Sequence, residues 1–437
     1  MPNSKYVIVG NSAAAIGAIE SLRQYDQLSP ITVISDEDTT TAYARPLITY
    51  ALAGKIDWSN LNYRPKEFYR HHKVDTLLGK RVVKIEPKKK RVLLENGKSI
   101  RYEKLLLATG GKPVMPPIKG IDKKGVFTFT TLSDAREVQA HLRFVNKAVV
   151  IGGGLIGLKT AESLSILGVE TTVVELLDRL LAPVLDEYAS SLVKNVFEER
   201  GVTILTGVSA QEILPKNKRA DTAGGVRLST GKILEADLVV VAVGVRPSKE
   251  LAEEAGLKTN RGILVNERME TSEKDIYAAG DVTEGYDLIL KTSRPLPIWP
   301  NAYLQGSTAG ASMAGINKPF PGGLSMNSTT FFGYPIASAG LANPENESEF
   351  EVLRHKEAKH RLYRKLVIKE KRLVGFITTG AVSSNGLLVS LIKNKTKVSG
   401  FKKKLLKEDL KLIDLPSKIR SKKLNLEEEN ERLKQSI

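Results

Sequence analysis

Residues 5–9 read KYVIV, a nearly unbroken apolar run that stops at Gly10, as expected of a strand buried on both faces in a parallel sheet. The period then changes. Ile16, Ile19 and Leu22 recur three residues apart, so residues 13–25 are predicted helical. Leu28-Ser29-Pro30 breaks that helix, and residues 31–34 restart a strand. The same order returns at residues 148–175: a strand AVVI, the turn GGGLIG, a helix over residues 155–167, and a return strand TTVVE. Gly168 closes the second helix, where a residue free to turn left-handed is favoured. Two βαβ units in one chain predict an α/β protein with two Rossmann-like dinucleotide-binding domains.

Between the units, residues 81–107 alternate like short antiparallel strands with a turn at Glu95-Asn96-Gly97. The second unit continues with residues 226–228, a turn near Gly231 and a strand at 238–243. Each unit has a glycine-bearing strand exit, Ala108-Thr109-Gly110 in one and Val243-Gly244-Val245 in the other. After Phe320-Pro321-Gly322-Gly323 the composition changes to mixed strand and helix, an α+β module. Beyond Gly400 the tail sets Phe401, Leu405, Leu406, Leu410 and Leu412 among lysines. It is expected to be helical, docked or partner-binding.

Gly152-Gly153-Gly154-Leu155-Ile156-Gly157 is a full GxGxxG between a strand and a helix. Gly152 permits the tight turn, Gly154 lets backbone approach a pyrophosphate, and Gly157 lets helix and strand pack closely. Glu175 follows Gly152 by 23 residues, where a carboxylate bonds ribose hydroxyls and repels a 2′-phosphate, favouring NADH over NADPH. The N-terminal version, Gly10-Asn11-Ser12-Ala13-Ala14-Ala15, is degenerate, with Ser12 and Ala15 in place of glycines. Asp36 or Glu37 is its candidate ribose acid.

Composition narrows the chemistry. The 437 residues are 41% hydrophobic and 26% charged, ordinary for a globular protein. With no cysteine, the chain carries no disulfide relay, thiolate-ligated cluster or cysteine zinc site. Its five histidines show no ligand spacing, and no metal is expected. Apolar stretches such as residues 238–245 are too short for a bilayer span. The apolar start at residues 6–19 is interrupted by Gly10, Asn11 and Ser12, unlike a signal peptide; a cytoplasmic protein is expected. A net charge of +17 suits either an acidic protein partner or simple solubility. Nucleic acid is not expected, because the basic residues are scattered without a recognised binding pattern.

The segment Thr271-Ser272-Glu273-Lys274-Asp275-Ile276-Tyr277-Ala278-Ala279-Gly280-Asp281 resembles the second FAD motif of the FAD-dependent pyridine nucleotide–disulfide oxidoreductase superfamily. The three motifs also stand in that family's order: FAD, NAD, FAD. The resemblance implies that Gly280 ends a strand at the flavin and that Asp281 bonds the ribityl chain. Tyr43-Ala44-Arg45-Pro46-Leu47 resembles the segment covering the flavin in rubredoxin-reductase-like members and nitrite reductase flavin domains. Ile298-Trp299-Pro300-Asn301-Ala302 resembles the start of the helix aimed at the flavin pyrimidine. By this resemblance Arg45, Pro46, Pro300, Asn301 and Ala302 join Gly10, Ser12, Ala13, Ala14, Asp36, Ala108, Thr109 and Gly110 at FAD. Gly152, Gly154, Leu155, Ile156, Gly157, Glu175, Val243 and Gly244 would hold NAD(H).

Two departures stand out. Many relatives have Glu where this chain has Lys159, near the meeting of nicotinamide and flavin. Oxygenase-coupled ferredoxin reductases usually have Lys where it has Tyr50. Lys159 is therefore either flavin-proximal or a solvent-facing helix residue. The Gly-Asn-Ser-Ala-Ala start and Gly-Leu-Ile-Gly-Leu-Lys look more like the FAD subunits of phenylglyoxylate dehydrogenase and tungsten aldehyde oxidoreductase complexes.

The expected domains are FAD-binding at 1–117 and 248–325, NAD-binding at 118–247, and a C-terminal interface domain at 326–437. The expected activity is hydride transfer between NAD(H) and FAD, with electrons exchanged with an iron–sulfur partner in a multisubunit complex. The alternatives are a free-standing NADH:rubredoxin or ferredoxin reductase or NADH oxidase, and a non-catalytic flavin-binding assembly protein. A homo-oligomer or hetero-complex is open.

Overall fold

The computed structural model describes residues 3–216 and 219–421. In chain order its helices are α1 (Ala13–Tyr25), α2 (Ile48–Leu52), α3 (Phe68–His71), α4 (Leu132–His141), α5 (Leu155–Ile166), α6 (Glu187–Glu198), α7 (Glu250–Glu254), α8 (Trp299–Met313) and α9 (Asn385–Lys393). Described residues up to Leu180 together with Phe197–Leu324 form one compact unit. Leu181–Val196 and the described residues from Ser325 onward form the second. Segment 181–196, expected within the NAD-binding domain, is thus gathered into the C-terminal unit.

The first unit holds two sheets of the same design. In one, the parallel strands Val74–Leu77, Ile31–Ile34, Asn3–Val9 and Ser99–Leu107 lie side by side, and Ile276–Ala278 pairs with Ser99–Leu107. Arg91–Leu94 and Val82–Glu86 extend it antiparallel, as the alternation of residues 81–107 predicts. Register places Val9 level with Ile34 and Leu107, and Leu107 level with Ala278. Four strands therefore end on one edge, and the chain order reverses between Asn3–Val9 and Ser99–Leu107. Such a switch point opens a crevice for a ligand.

The other sheet runs Thr203–Thr206, Glu170–Glu175, Lys147–Ile151, Leu238–Val241 and Val126–Thr128, all parallel. Its switch point lies between Lys147–Ile151 and Leu238–Val241. Val149, Val174, Val239 and Val241 are fully buried there, which is why this stretch of sequence is apolar without alternation. Gly111–Pro113 pairs antiparallel with Val245–Pro247, so the two chain crossings between the halves are bound to each other.

The C-terminal unit is a five-stranded antiparallel sheet ordered Met326–Phe331, Tyr334–Gly340, Arg372–Thr379, Leu362–Lys369, Glu351–Glu357, with α9 packed on it through Leu388, Leu391 and Ile392. The expected helical tail is corrected over residues 401–416, while residues 417–421 are helical. Lys402–Leu406 and Leu412–Asp414 form short 3-10 turns, and the tail beyond residue 421 lies outside the described residues. Phe401, Leu405, Leu410 and Leu415 are buried, but their spacing of four, five and five gives no single helical stripe. Buried Arg364 also donates to the carbonyls of Leu405 (3.0 Å) and Glu408 (3.3 Å) and to Ser384 Oγ (2.9 Å). Carbonyls taken in this way are lost to a continuous helix. No helix among the described residues is long and apolar enough to cross a membrane.

Candidate functional site: two dinucleotide cradles

The two glycine turns are built alike. Gly10 has φ +114° and Gly152 φ +116°, and each donates its N–H at 2.8 Å to a carbonyl near the end of the neighbouring strand, Ile34 or Val174. A Cβ on Gly10 would sit 2.1 Å from the Ala108 carbonyl oxygen, and one on Gly152 would sit 2.3 Å from that of Ala242. Only glycine fits either place. The backbone at Ala108-Thr109 and at Ala242-Val243 thus lies against the two glycine turns. Where the N-terminal unit departs from glycine, Ser12 is the N-cap of α1 but makes no side-chain cap bond. The neighbouring Asn11 Nδ2 is buried without an acceptor. A buried donor beside a helix N-terminus suits an anionic oxygen.

α8 brings a second helix N-terminus to the same crevice. A Cβ on Gly17 would lie 2.3 Å from Tyr303 O, on Gly306 1.9 Å from Ala14 O, and on Gly310 2.5 Å from Ala18 O. Small residues on both helices therefore let the α1 and α8 backbones touch. Between their first turns sits Gly280 (φ +88°), whose added Cβ would lie 3.1 Å from that of Ala14 and 3.6 Å from that of Ala302. Gly280 N–H donates to Gln305 Oε1 at 2.7 Å, and Thr283 Oγ1 donates to the same oxygen at 3.1 Å. Sequence reasoning missed Gln305, although a helix carrying Gly306 and Gly310 four residues apart signals a close crossing. Pro300 is in the first turn of α8. Asn301 spends its side chain on the Leu324 backbone, at 3.1 and 3.3 Å, leaving only its main chain for a ligand.

The covering segment and the second motif converge. Arg45 pairs with Glu37, donates to Thr130 O at 2.9 Å, and is the cation acting on Asp281. Pro46 fixes the short turn that follows Arg45. Tyr43 OH donates to Glu37 Oε2 at 2.6 Å. Burial pushes the Asp281 carboxyl up to about 6, against the pull of Arg45. Of the two candidate ribose acids, Asp36 is exposed and 3.4 Å from Arg81, while Glu37 stands in this cluster.

At the second crevice Gly154, N-cap of α5, has nothing within 4 Å of an added Cβ, so its backbone is open to an approaching ligand. Gly157 is closed: its Cβ would meet Gly152 O at 1.9 Å. Glu175 Oε2 accepts from Gly153 N at 2.5 Å and Oε1 from Leu177 N at 2.8 Å. The acid is thereby held at the glycine turn. Leu155 and Ile156 are partly exposed in the first turn of α5.

The halves meet at α2 and α5. Ser163 Oγ donates to Thr49 O at 2.8 Å. Glu162, with 2% of its side chain exposed, takes Lys55 Nζ at 2.8 Å and Lys159 Nζ at 2.5 Å. Lys159 Nζ also lies 4.2 Å from the Tyr50 ring centroid, within cation–π range. Lys159 is only 12% exposed, which overturns the solvent-facing reading. Glu162 and Lys55 were not foreseen, because nothing in the sequence joins positions 107 residues apart. No cluster of potential metal ligands occurs among the described residues.

Two switch-point crevices, each with a glycine turn at a helix N-terminus and joined through α2 and α5, define a protein that binds two dinucleotides in one body. The family model for pyridine nucleotide-disulphide oxidoreductases matches residues 4–306, and that for the rubredoxin NAD+ reductase C-terminal domain matches residues 326–396. The chain belongs to the pyridine nucleotide-disulphide oxidoreductase family, whose cofactors are FAD and NAD(H). It is 31% identical over 90% of its length to the NADH-dependent phenylglyoxylate dehydrogenase subunit epsilon of Aromatoleum evansii, covering 92% of that subunit. It is 31% identical over 91% of its length to the nitrite reductase [NAD(P)H] of Bacillus subtilis, of which it spans about half (48%). Among solved structures, a NAD-dependent persulfide reductase from A. fulgidus aligns with TM-score 0.83 and 29% identity, over 92% of this chain and 78% of that one.

Proposed function

We propose that the chain is the FAD-carrying, NADH-oxidising subunit of a multisubunit oxidoreductase and delivers electrons to an iron–sulfur partner. The observation that carries this is the pair of like-built crevices meeting at α2 and α5 in a chain with no cysteine. A family member without thiols has no disulfide of its own to reduce. Near full-length likeness to an epsilon subunit favours a subunit over a free-standing oxidase.

FAD supplies the ability to take a hydride from NADH and release its electrons singly. The chain supplies position. The α1 N-terminus and Asn11 hold one pyrophosphate, and Gly154 with the α5 N-terminus holds the other. Glu37 and Glu175 accept ribose hydroxyls, and ionised Asp281 accepts those of the ribityl chain. Lys55 and Lys159 both pair with Glu162, which brings the positive charge of two lysines to the α2–α5 junction. Placed beside the reacting rings, that charge favours electron gain there. No side-chain acid or base is required, since alignment of the two rings provides most of the rate.

The test is an anaerobic NADH titration of the purified chain with its bound flavin, followed by addition of oxygen or a one-electron acceptor. Rapid bleaching, slow reoxidation by oxygen and fast reoxidation by the one-electron acceptor are expected. Co-purification of the native chain with cluster-bearing proteins is expected as well. A flavin that NADH leaves oxidised would remove the reading, and fast turnover with oxygen alone would point instead to an oxidase.

A further inference from the structure

We propose that Tyr69 is a positioning residue for FAD: its hydroxyl fixes the side-chain amide of Asn11, holding the amide oxygen and leaving the nitrogen to the pyrophosphate. This rests on the reading of the Gly10 turn as the FAD site.

Asn11 stands between Gly10, the turn glycine, and Ser12, the N-cap of α1. Tyr69 lies in α3, 7% exposed, in the same apolar cluster as Ala13, Ala14 and Ala42. Two hydrogen bonds meet at its hydroxyl. It donates to Asn11 Oδ1, and its oxygen accepts from the Ala42 N–H at 3.3 Å. Ala42 is itself fixed, since its carbonyl accepts from Tyr63 N at 2.9 Å. Burial pushes the phenol up to about 12, so it keeps its proton at working pH.

The direction of this relay follows from counting donors. A phenol has one hydrogen to give, and a backbone N–H can only donate. The phenol oxygen therefore accepts from Ala42, and its hydrogen goes to Asn11. Asn11 shows Tyr69 its oxygen and keeps both amide hydrogens for the other side, where Nδ2 is buried with no acceptor among the described residues. A buried donor left unpaired is costly, and beside a helix N-terminus it is met by an anionic oxygen. With the amide turned over, the phenol hydrogen would be buried without an acceptor, and an amide oxygen would face the phosphates. Tyr69 excludes that arrangement. Ser12, which stands in place of a glycine, makes no side-chain cap bond, so the donor this turn adds comes from its neighbour Asn11. Tyr43 follows Ala42 directly, and one hydroxyl thus joins the covering segment to the glycine turn.

The experiment compares the FAD-loaded full chain with Tyr69→Phe, Asn11→Ala, Asn11→Asp and the double variant Asn11→Ala with Tyr69→Phe. FAD dissociation constants are read from the fluorescence of flavin released on serial dilution, with melting temperatures recorded beside them. Tyr69→Phe and Asn11→Ala should each raise the constant about tenfold. The double variant should exceed Asn11→Ala by no more than about twofold, since without the amide the phenol has nothing to orient. Asn11→Asp still accepts from the phenol but offers the phosphates an anion, and should weaken FAD by roughly a hundredfold or more; it tests the donor role even where Tyr69→Phe folds poorly. A Tyr69→Phe loss repeated in full in the Asn11→Ala background would overturn the proposal, because it marks a merely structural phenol. Wild-type affinity in Tyr69→Phe or in Asn11→Asp, with Asn11→Ala weakened, would overturn the proposal alone. Wild-type affinity in Asn11→Ala would overturn the reading of this turn as well. A wild type that holds FAD but is not bleached by NADH would refute the hydride-transfer function, while the same constants still decide the role of Tyr69.

Discussion

Gly280 N–H and Gln305 Oε1 meet at 2.7 Å, entirely out of solvent, and through them the second FAD motif is bolted to α8. The bond forms only because α8 lies against α1 with no side chain between Gly306 and Ala14. Gly306→Val would force those backbones apart, and overpacking of this kind costs about 3 kcal/mol or more. The variant should lose FAD and melt earlier by calorimetry, while NAD+ binding is retained by whatever remains folded. A valine variant with wild-type flavin content would show that the crossing does not position the site.

Asp281 gives a pH signature. Its carboxyl is raised to about 6 by burial in the chain alone, whereas accepting ribityl hydroxyls favours the ionised form. Bound FAD should therefore lower this pKa, and FAD affinity should climb as pH rises toward 6 and level off above it. The same raised pKa means that the flavin-free chain loses stability between about pH 4 and pH 6, where the unfolded carboxyl is ionised and the buried one is still protonated, with no further loss above. Asp281→Asn should flatten both profiles, and Asp281→Ala should retain little FAD. A wild-type FAD affinity constant from pH 5 to 8 would refute the assignment.

Both crevices were legible in the sequence because glycine turns and buried parallel strands are local patterns. Gly10, Gly152 and Gly157 announce backbone contacts that no other residue permits. The junction of α2 with α5 was half legible: Tyr50 and Lys159 were singled out, but Glu162, which joins Lys159 to Lys55, was not. A carboxylate on a helix reads as a solvated residue until a second lysine arrives from elsewhere in the chain. The tail misled for a related reason. Its leucines among lysines resemble an amphipathic helix, yet buried Arg364 takes the carbonyls that such a helix would use.

Two glycines of one motif should respond oppositely. Gly154 has φ −81° and ψ −178° and open space around an added Cβ, so Gly154→Val should shift the melting temperature by no more than about 2 °C. It should nevertheless weaken NADH binding by at least roughly thirtyfold, about 2 kcal/mol, with FAD retained. Gly157→Ala, whose Cβ would fall 1.9 Å from Gly152 O, should instead destabilise the fold. Equal destabilisation by both would mean that Gly154 faces protein rather than ligand.

Coenzyme preference should follow Glu175. Wild type should prefer NADH, because the carboxylate repels a 2′-phosphate. Leu176 is 67% exposed beside it, so Glu175→Ser with Leu176→Arg replaces repulsion with an accessible guanidinium. The ratio of kcat/KM values should move toward NADPH by roughly a hundredfold, about 2.7 kcal/mol. Wild type reduced faster by NADPH would contradict the reading.

Glu162 is the last test, because it separates charge from contact at the junction. Glu162→Gln keeps the shape and a hydrogen-bonding oxygen but removes the negative charge that Lys55 and Lys159 share. If their role is to favour electron gain beside them, the flavin potential should rise. NADH would then reduce the flavin at least as fast, while onward transfer to a one-electron acceptor slows. If their role is instead to hold α2 against α5, the lysines should repel, the junction should loosen and NADH reduction should slow, roughly tenfold for a misaligned pair of rings. Ser163→Ala distinguishes the two, since it removes the 2.8 Å bond to Thr49 O without touching charge. Slower NADH reduction in Ser163→Ala and an altered potential only in Glu162→Gln is the expected pattern. An unchanged potential in Glu162→Gln would show that the lysines serve the contact alone.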